Sequence, residues 1–314
     1  MLLSIVVPCY NEGENLQHFY IELGKALYSS YSYELIIVND GSGDDTLEKA
    51  QEIAQMSDNV YYISFSRNFG KESAMLAGLH YAKGDAVIIM DGDLQHPPAL
   101  IPKMIEKFEE GYEQVIAKRN RKGDSFIRSK FSSLYYVLIN RLVDVELQDG
   151  VGDFRLLSRR VVDSLLSLKE YNRFSKGLFA WIGFKEAVIE YENFIRNEGK
   201  SSWTFPKLLN YGIDGLISFN NKPLRASIYM GLTLTSVSLI YVLITLIQII
   251  FKGIDVPGYF TIISAVLIVG GVQLIFLGVI GEYIGRIFYE TKNRPHYIIN
   301  ETNVESSIIK KHAK

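Results

Sequence analysis

The sequence has a single cysteine, Cys9, in 314 residues. That excludes a disulfide framework and a cysteine-built zinc site. It fits a reducing compartment. Net charge is also scarce: 33 Lys and Arg against 35 Asp and Glu leave −2 at pH 7. Bulk charge therefore gives no argument for a nucleic-acid partner. The N-terminus, MLLSIVVP, has no basic leader and too short an apolar run for a signal peptide with its cleavage site. Apolar residues are ample at 48%, which excludes intrinsic disorder. Mean hydropathy is +0.08, on the apolar side for a water-soluble enzyme. Twenty Tyr and 17 Phe add aromatic surface of the kind found at membrane boundaries.

Two stretches lack charge altogether. Between Arg225 and Lys252, and again between Asp255 and Glu282, there are 26 residues without Asp, Glu, Lys or Arg. A spanning helix needs about 20 apolar residues. Only a short loop around Gly253, Asp255, Pro257 and Gly258 separates the two. The pattern predicts a transmembrane hairpin over 225–285, with spans at 226–251 and 257–281. Two buried helices of a soluble domain are the alternative. Gly270, Gly271, Gly278, Gly281 and Gly285 suit close helix packing in the second span. Lys222 and Arg225 precede the first span, Arg286, Lys292 and Arg294 follow the second, and the loop carries only Lys252. By the positive-inside rule both ends are cytoplasmic.

Ahead of the hairpin, short apolar runs alternate with helical patterns. Strands are expected at Leu3–Val7, Leu35–Val38, Val60–Phe65, Ala86–Met90 and Val115–Lys118. Helices are expected at Glu14–Tyr28, after Asp44 or Asp45 as cap, at Lys71–Ala82, and after Pro97 and Pro98. This order predicts a mainly parallel sheet covered on both faces. Further on, Phe154–Leu157 and Ala187–Tyr191 read as strands. Ser125–Leu142 and Trp203–Phe219 read as amphipathic helices that lie in the membrane interface or in the core. The tail from Asn300 to Lys314 is polar and is expected to be mobile, with no role.

Ligands in such sheets bind beyond the carboxyl ends of the strands. Asp40, Asp91 and Asp93 fall there and should line one crevice. Asp91-Gly92-Asp93 presents two carboxylates one residue apart, enough to reach one divalent cation. A polar turn is the plainer reading, and Gln95 and His96 follow as neutral ligands. Asp40, before Gly41, is placed to accept hydrogen bonds from a base or ribose, or to form an Asx-turn. Pro8, Tyr10, Asn11 and Glu12 border the same crevice. Between Lys118 and Lys130, six basic residues face one acid, Asp124. Such a run is either a solvated face or a contact for anionic lipid and lipid phosphate. Asp153 precedes an apolar strand and is either a base or orienting group, or the ion-pair partner of Arg155 or Arg159. The loop from Arg196 to Ser202 is polar and leads toward the membrane.

IVVPCYNE, IIVNDGSGDDT, RNFGKESAM and MDGDLQHPP, in this order, resemble the inverting glycosyltransferases of family 2. GDFRLLSRR, RNEGKSSW and the hairpin narrow the resemblance to the polyprenyl-phosphate glycosyltransferases, meaning the bactoprenol glucosyltransferases and their dolichol-phosphate mannose synthase relatives. It covers Ser4 to about Arg294. The resemblance implies a GT-A, Rossmann-like α/β domain over 1–200, an interfacial segment over 201–224, the hairpin, and a cytoplasmic tail over 286–314. It implies Pro8, Tyr10, Glu12, Asp40 and Asp91 around the donor nucleotide. Asp91, Asp93 and Gln95 would hold Mg²⁺ or Mn²⁺, with Asp93 and Asp153 as catalytic carboxylates. Arg119, Arg128, Arg196 and Lys200 match positions that bind the acceptor phosphate. The implied substrates are a UDP-sugar and undecaprenyl phosphate, and the implied place is the cytoplasmic membrane. A homo-oligomer, a tetramer in some relatives, and a downstream flippase and second glycosyltransferase are the implied partners.

Two other functions are compatible with parts of the sequence. A processive polysaccharide synthase carries Q-x-x-R-W, which is absent here, and more spans than two. A membrane-tethered nucleotide-sugar binder needs no combined set of metal, donor and acceptor residues.

Overall fold

The computed structural model describes residues 1–27, 31–120, 140, 151–191, 222–252 and 258–304. Among them, eight strands form one sheet in the order β7-β5-β6-β4-β1-β2-β3-β8. The strands are β1 (Leu2–Cys9), β2 (Ser32–Asn39), β3 (Val60–Phe65), β4 (Ala86–Ile89), β5 (Gln114–Arg119), β6 (Val151–Ser158), β7 (Glu186–Tyr191) and β8 (Ile299–Thr302). β1 pairs in parallel with β2 and β4, β2 with β3, and β5 with β7. β6 runs antiparallel between β4 and β5, and β8 antiparallel along β3.

The first strands are largely apolar on both sides because both faces of the sheet are covered, with buried Ser4 and Glu34 bonded to each other. Leu3, Ile5 and Val7 of β1 join Leu16, Phe19 and Leu23 of α1 (Gly13–Leu27) in one core layer. Val6 points the other way, into a layer with Ala74, Ala77 and Leu79 of α3 (Lys71–Tyr81). The side-chain period of two along a strand requires this split. α3 lies so close to β1 that a Cβ on Gly78 would sit 2.1 Å from Val6 Cγ1. α2 (Thr46–Met56), α4 (Ile101–Glu109), α5 (Arg159–Ser167) and α6 (Ser175–Trp181) complete the cover. A short 3₁₀ turn over Pro98–Leu100 leads into α4, as the two prolines imply.

At α2, Asp45 holds the cap position but makes no capping bond through its side chain. Asp44 does the work instead: its Oδ1 accepts from the N–H and hydroxyl of Thr46, and its Oδ2 accepts from Gly13 N. This ties the head of α1 to the head of α2.

Two long helices follow the body, α7 (Lys222–Lys252, 31 residues) and α8 (Tyr259–Thr291, 33 residues). α7 runs past its expected span at both ends, and α8 runs past its own at the C-terminal end. Large apolar side chains stand exposed along both, Leu239, Ile240, Leu274 and Leu277 among them. Water-soluble proteins rarely leave so much apolar surface uncovered. Among the described residues, Ile268–Thr291 is long and apolar enough to cross a membrane.

The tail departs from expectation. Ile299–Thr302 is a strand, so the chain returns to the sheet after α8. Asn303 fastens it: Tyr62 N donates to Asn303 Oδ1 at 2.7 Å, and Asn303 Nδ2 donates to Val60 O at 3.0 Å. Gln51 bonds to Glu301. Tyr297 stacks on Phe65 at 4.9 Å. Polar composition concealed a strand, which is the edge of the sheet among the described residues. The two expected amphipathic helices lie largely or wholly outside the described residues.

Candidate active site

The carboxyl ends of β1, β2 and β4 open on one side of the sheet, and the loops that follow them are cross-linked. Asp40 N donates to Cys9 O at 2.9 Å. Asn11 N donates to Ser42 Oγ, and Gly43 N donates to Asn11 Oδ1, both at 2.9 Å. Pro8 is buried at the end of β1, and Tyr10 stands half exposed beside it. Glu12 N donates to Thr46 Oγ1, and Glu12 Oε2 accepts from Asn15 Nδ2 at 2.7 Å. Two residues in these loops, Asn11 (φ 55°) and Leu94 (φ 57°), are left-handed. That conformation is rare for a leucine and marks a tightly determined turn.

Asp40 is almost fully buried, and its carboxylate faces the protein. Phe69 N donates to Oδ1 at 2.7 Å and Gly70 N donates to Oδ2 at 2.9 Å. Burial raises its pKa, which these two N–H bonds and Arg67 only partly offset. The Asx-turn expectation is thus replaced by a longer clamp, from β2 to the turn that starts α3. Gly41 (φ +63°) passes so close that a Cβ there would meet Arg67 C at 2.3 Å.

That clamp sets Lys71, the first residue of α3. Its Nζ lies 2.6 Å from Asp91 Oδ1 and 2.7 Å from Asp153 Oδ2. Asp153 arrives on β6, whose antiparallel direction brings its start to the carboxyl end of β4. Ile89 pairs with Arg155, and two residues further along this register Asp91 faces Asp153. Burial alone would raise both carboxyl pKa values. For Asp91, Lys71 and His96 outweigh burial and hold it well below the usual carboxylate range. For Asp153, Lys71 again outweighs burial, with Lys176 assisting and Asp91 opposing. Desolvation works against the Lys71 charge, and Asp153 and Asp91 more than offset it. Asp153 therefore pairs with Lys71 rather than with its sequence neighbours. Arg155 stacks on Phe179 at 3.7 Å and donates to Gly152 O, and Arg159 donates to the carbonyls of Ala82 and Gly84.

A second row of side chains supports these acids. His96 Nε2 is 3.7 Å from Asp91 Oδ2, and His96 Nδ1 is 2.6 Å from the Tyr191 hydroxyl. Burial pushes Tyr191 up to about 12. Arg119 is the register partner of Tyr191, which brings it to the edge of the same crevice. On the far side, Glu72 accepts from Ser175 N at 3.1 Å and from the Ser175 hydroxyl. Burial raises Glu72 to about 7. Lys176, next on α6, lies in the field of Asp153 and Lys71.

Asp91 and Asp93 flank Gly92 on the turn after β4, and Asp93 Oδ1 accepts from Gln95 N at 3.1 Å. Among the described residues, no three His, Cys, Asp or Glu side chains form a cluster that could hold a metal. Two hard carboxylates without a third suit Mg²⁺ or Mn²⁺, which take their remaining oxygens from water and substrate phosphate. Asp91 already attracts one cation, the Lys71 ammonium.

Pro8, Tyr10, Glu12, Asp40, Asp91, Asp93, Gln95, Arg119 and Asp153 thus border one end of the sheet. Arg128, Arg196 and Lys200 lie outside the described residues. Lys71, Glu72, Ser175, Lys176 and Tyr191 carried no sequence assignment. The signal available for Lys71 was a lysine directly after a glycine at the head of a helix, between two acidic strand ends.

A crevice of carboxylates at the carboxyl ends of a covered, mixed sheet is the arrangement of a GT-A nucleotide-sugar domain. The glycosyl transferase family 2 profile matches residues 4–166, and the GtrB C-terminal hairpin profile matches 222–287. The chain belongs to glycosyltransferase family 2. It is 58% identical over 304 residues to the putative glycosyltransferase CsbB of Bacillus subtilis, covering 96% of this chain and 92% of that protein. It is 42% identical over 305 residues to the bactoprenol glucosyl transferase of Shigella phage SfII, covering 96% and 99%. Among solved structures it is similar to glucosyl-3-phosphoglycerate synthase of Mycobacterium tuberculosis in complex with Mn²⁺, UDP-glucose and phosphoglyceric acid. That likeness has a TM-score of 0.47 and 21% identity, over 69% of this chain and 79% of the other.

Proposed function

We propose that the protein transfers a hexose from a nucleotide sugar, a UDP-hexose such as UDP-glucose or UDP-N-acetylglucosamine, to undecaprenyl phosphate at the cytoplasmic face of the membrane. The product is a β-linked polyprenyl-phosphate sugar, formed with inversion from an α-linked donor. One observation carries the reading: Lys71 ties Asp91, which we assign to the donor, to Asp153, which we assign to the acceptor. The family membership, the bactoprenol glucosyl transferase relatives and the two long helices support it.

In this mechanism Tyr10, Glu12 and the Asp40 clamp shape the nucleoside end of the crevice. Asp91 and Asp93, with Gln95 beside them, would hold Mg²⁺ or Mn²⁺, and that cation would supply Lewis-acid neutralisation of charge on a diphosphate leaving group. The acceptor phosphate oxygen is already ionised at pH 7, so no strong base is needed to make it a nucleophile. Asp153, held ionised by Lys71, orients the acceptor. Arg119, with Arg128, Arg196 and Lys200, draws the acceptor phosphate. α7 and α8 both span the bilayer, which keeps the acceptor's tail in lipid while its head reaches the sheet. A sugar lipid made on the cytoplasmic face then needs a flippase and a second glycosyltransferase to reach the cell envelope.

The test uses purified full-length protein in detergent, with undecaprenyl phosphate and labelled UDP- and GDP-sugars, with and without EDTA. Label moving to lipid from a UDP-hexose, and lost with EDTA, is the expected outcome. Absence of lipid product from every donor, with UDP still bound, overturns the reading.

A further inference from the structure

Lys71 is held by its backbone on both sides before its side chain meets any acid. Asp40 accepts from the N–H groups of Phe69 and Gly70, directly before it. Glu72, directly after it, is fixed to Ser175 of α6. The first turn of α3 is therefore anchored to β2 and to α6, and the ammonium is delivered between Asp91 and Asp153 by construction. Yet its side chain remains 42% exposed, so it lies at the open floor of the crevice. A lysine carries a compact charge on a flexible stem with three donors. It can release one carboxylate and keep the other without any backbone movement.

Asp91 has two functions that conflict. Its Oδ1 is taken by Lys71, while Oδ2 faces His96 at 3.7 Å. A divalent cation on Asp91 must therefore meet the ammonium. Two like charges on one carboxylate repel, and the lysine is the partner able to move. We propose that Lys71 is a resident counter-ion of this site: it neutralises Asp91 while no divalent cation is bound, yields Asp91 to the cation, and stays on Asp153. Lys71 is a positioning residue in this scheme, acting through both acids. The inference rests on the metal-assisted reading of Asp91 and Asp93 given above. Its consequence is that the free cation binds weakly and binding becomes tight only with the nucleotide diphosphate.

The test measures Mn²⁺ binding to the full chain in detergent, from the electron paramagnetic resonance signal of free Mn²⁺, with and without UDP. Lys71→Met and Lys71→Gln are compared with the unaltered protein. Without UDP, both variants are expected to bind Mn²⁺ tighter by about two- to fivefold, the scale of a partly exposed charge pair. With UDP the gap narrows. Equal or weaker Mn²⁺ binding in the variants, with Mn²⁺–UDP binding intact, overturns the counter-ion role alone. No Mn²⁺ binding by any form, even with UDP, overturns the metal reading beneath it. Should both variants fail to fold, the unaltered protein carries the test. Labelling of Lys71 by an amine-reactive reagent, read by mass spectrometry, should rise severalfold when Mn²⁺ is added. Unchanged labelling overturns the proposal.

Discussion

The backbone N–H of Tyr171 donates to Glu290 Oε1 at 2.8 Å, joining the loop before α6 to the last turn of α8. The Tyr171 ring also stacks with Tyr289, at 5.7 Å, and with His296, at 5.6 Å. Four residues later, Ser175 holds Glu72. The end of the second long helix is thus one short loop away from the lysine that bridges the two acids.

Tyr171→Ala removes both stacked contacts. A loss of about 1–2 kcal/mol is expected, read as a lower thermal midpoint in detergent. Transfer to lipid phosphate should fall while UDP affinity, measured by calorimetry, stays within twofold. An equal loss of both would mean that the contact supports the whole body rather than its link to α8.

Asp40→Asn keeps one acceptor and turns an amide NH₂ toward a backbone N–H that had been satisfied. Such a buried mismatch costs about 2 kcal/mol. The expected result is a lower thermal midpoint together with weaker UDP binding, because α3 and Lys71 shift with the clamp. Weaker UDP binding at unchanged stability would instead make Asp40 a direct nucleoside contact.

Glu72 gives a pH dependence of definite sign. Its carboxyl titrates near 4.5 when unfolded and near 7 in the fold, because burial disfavours its charge. Between those values the folded state binds more protons than the unfolded one, so stability falls as pH rises and levels off above 7. The shift corresponds to about 3 kcal/mol. Thermal midpoints from pH 4.5 to 8 should show this decline, and Glu72→Gln should flatten it. Parallel profiles for the two proteins would remove Glu72 as the source.

Asn303→Ala leaves Tyr62 N without its acceptor and Val60 O without its donor. A cost of about 1–2 kcal/mol is expected, concentrated at β8. Limited proteolysis after Arg294 should accelerate in the variant. An unchanged cleavage rate would show that β8 is held by Tyr297 and the strand bonds alone.

The strands and helices through Arg119 were legible in the sequence because each carries its own signal. β1, β2 and β4 each carry a run of apolar residues, Asp40 follows β2 directly, and Asp91 follows β4 after Met90. β6 was legible as a strand but not as an antiparallel one. Direction depends on which neighbour it meets, and that is what brings Asp153 to Asp91. Lys71 lay inside a recognised motif, yet its role depends on two acids distant along the chain. β8 was not legible in the sequence, because a strand paired along one edge can be polar in composition. Its apolar support, Tyr297 against Phe65, pairs residues from opposite ends of the sequence.

The place of β8 also sets an order of assembly. β3 needs a partner that the ribosome makes only after both long helices have been synthesised. Until then its outer edge carries unpaired backbone groups, open to pairing with another chain. Closing that edge therefore waits for the synthesis of α8, and on the proposal that α8 crosses the bilayer it requires that helix to end on the side where the sheet stands. On the same proposal, a nascent chain with that helix inserted the wrong way round would leave the sheet unfinished, its β3 edge open to other chains.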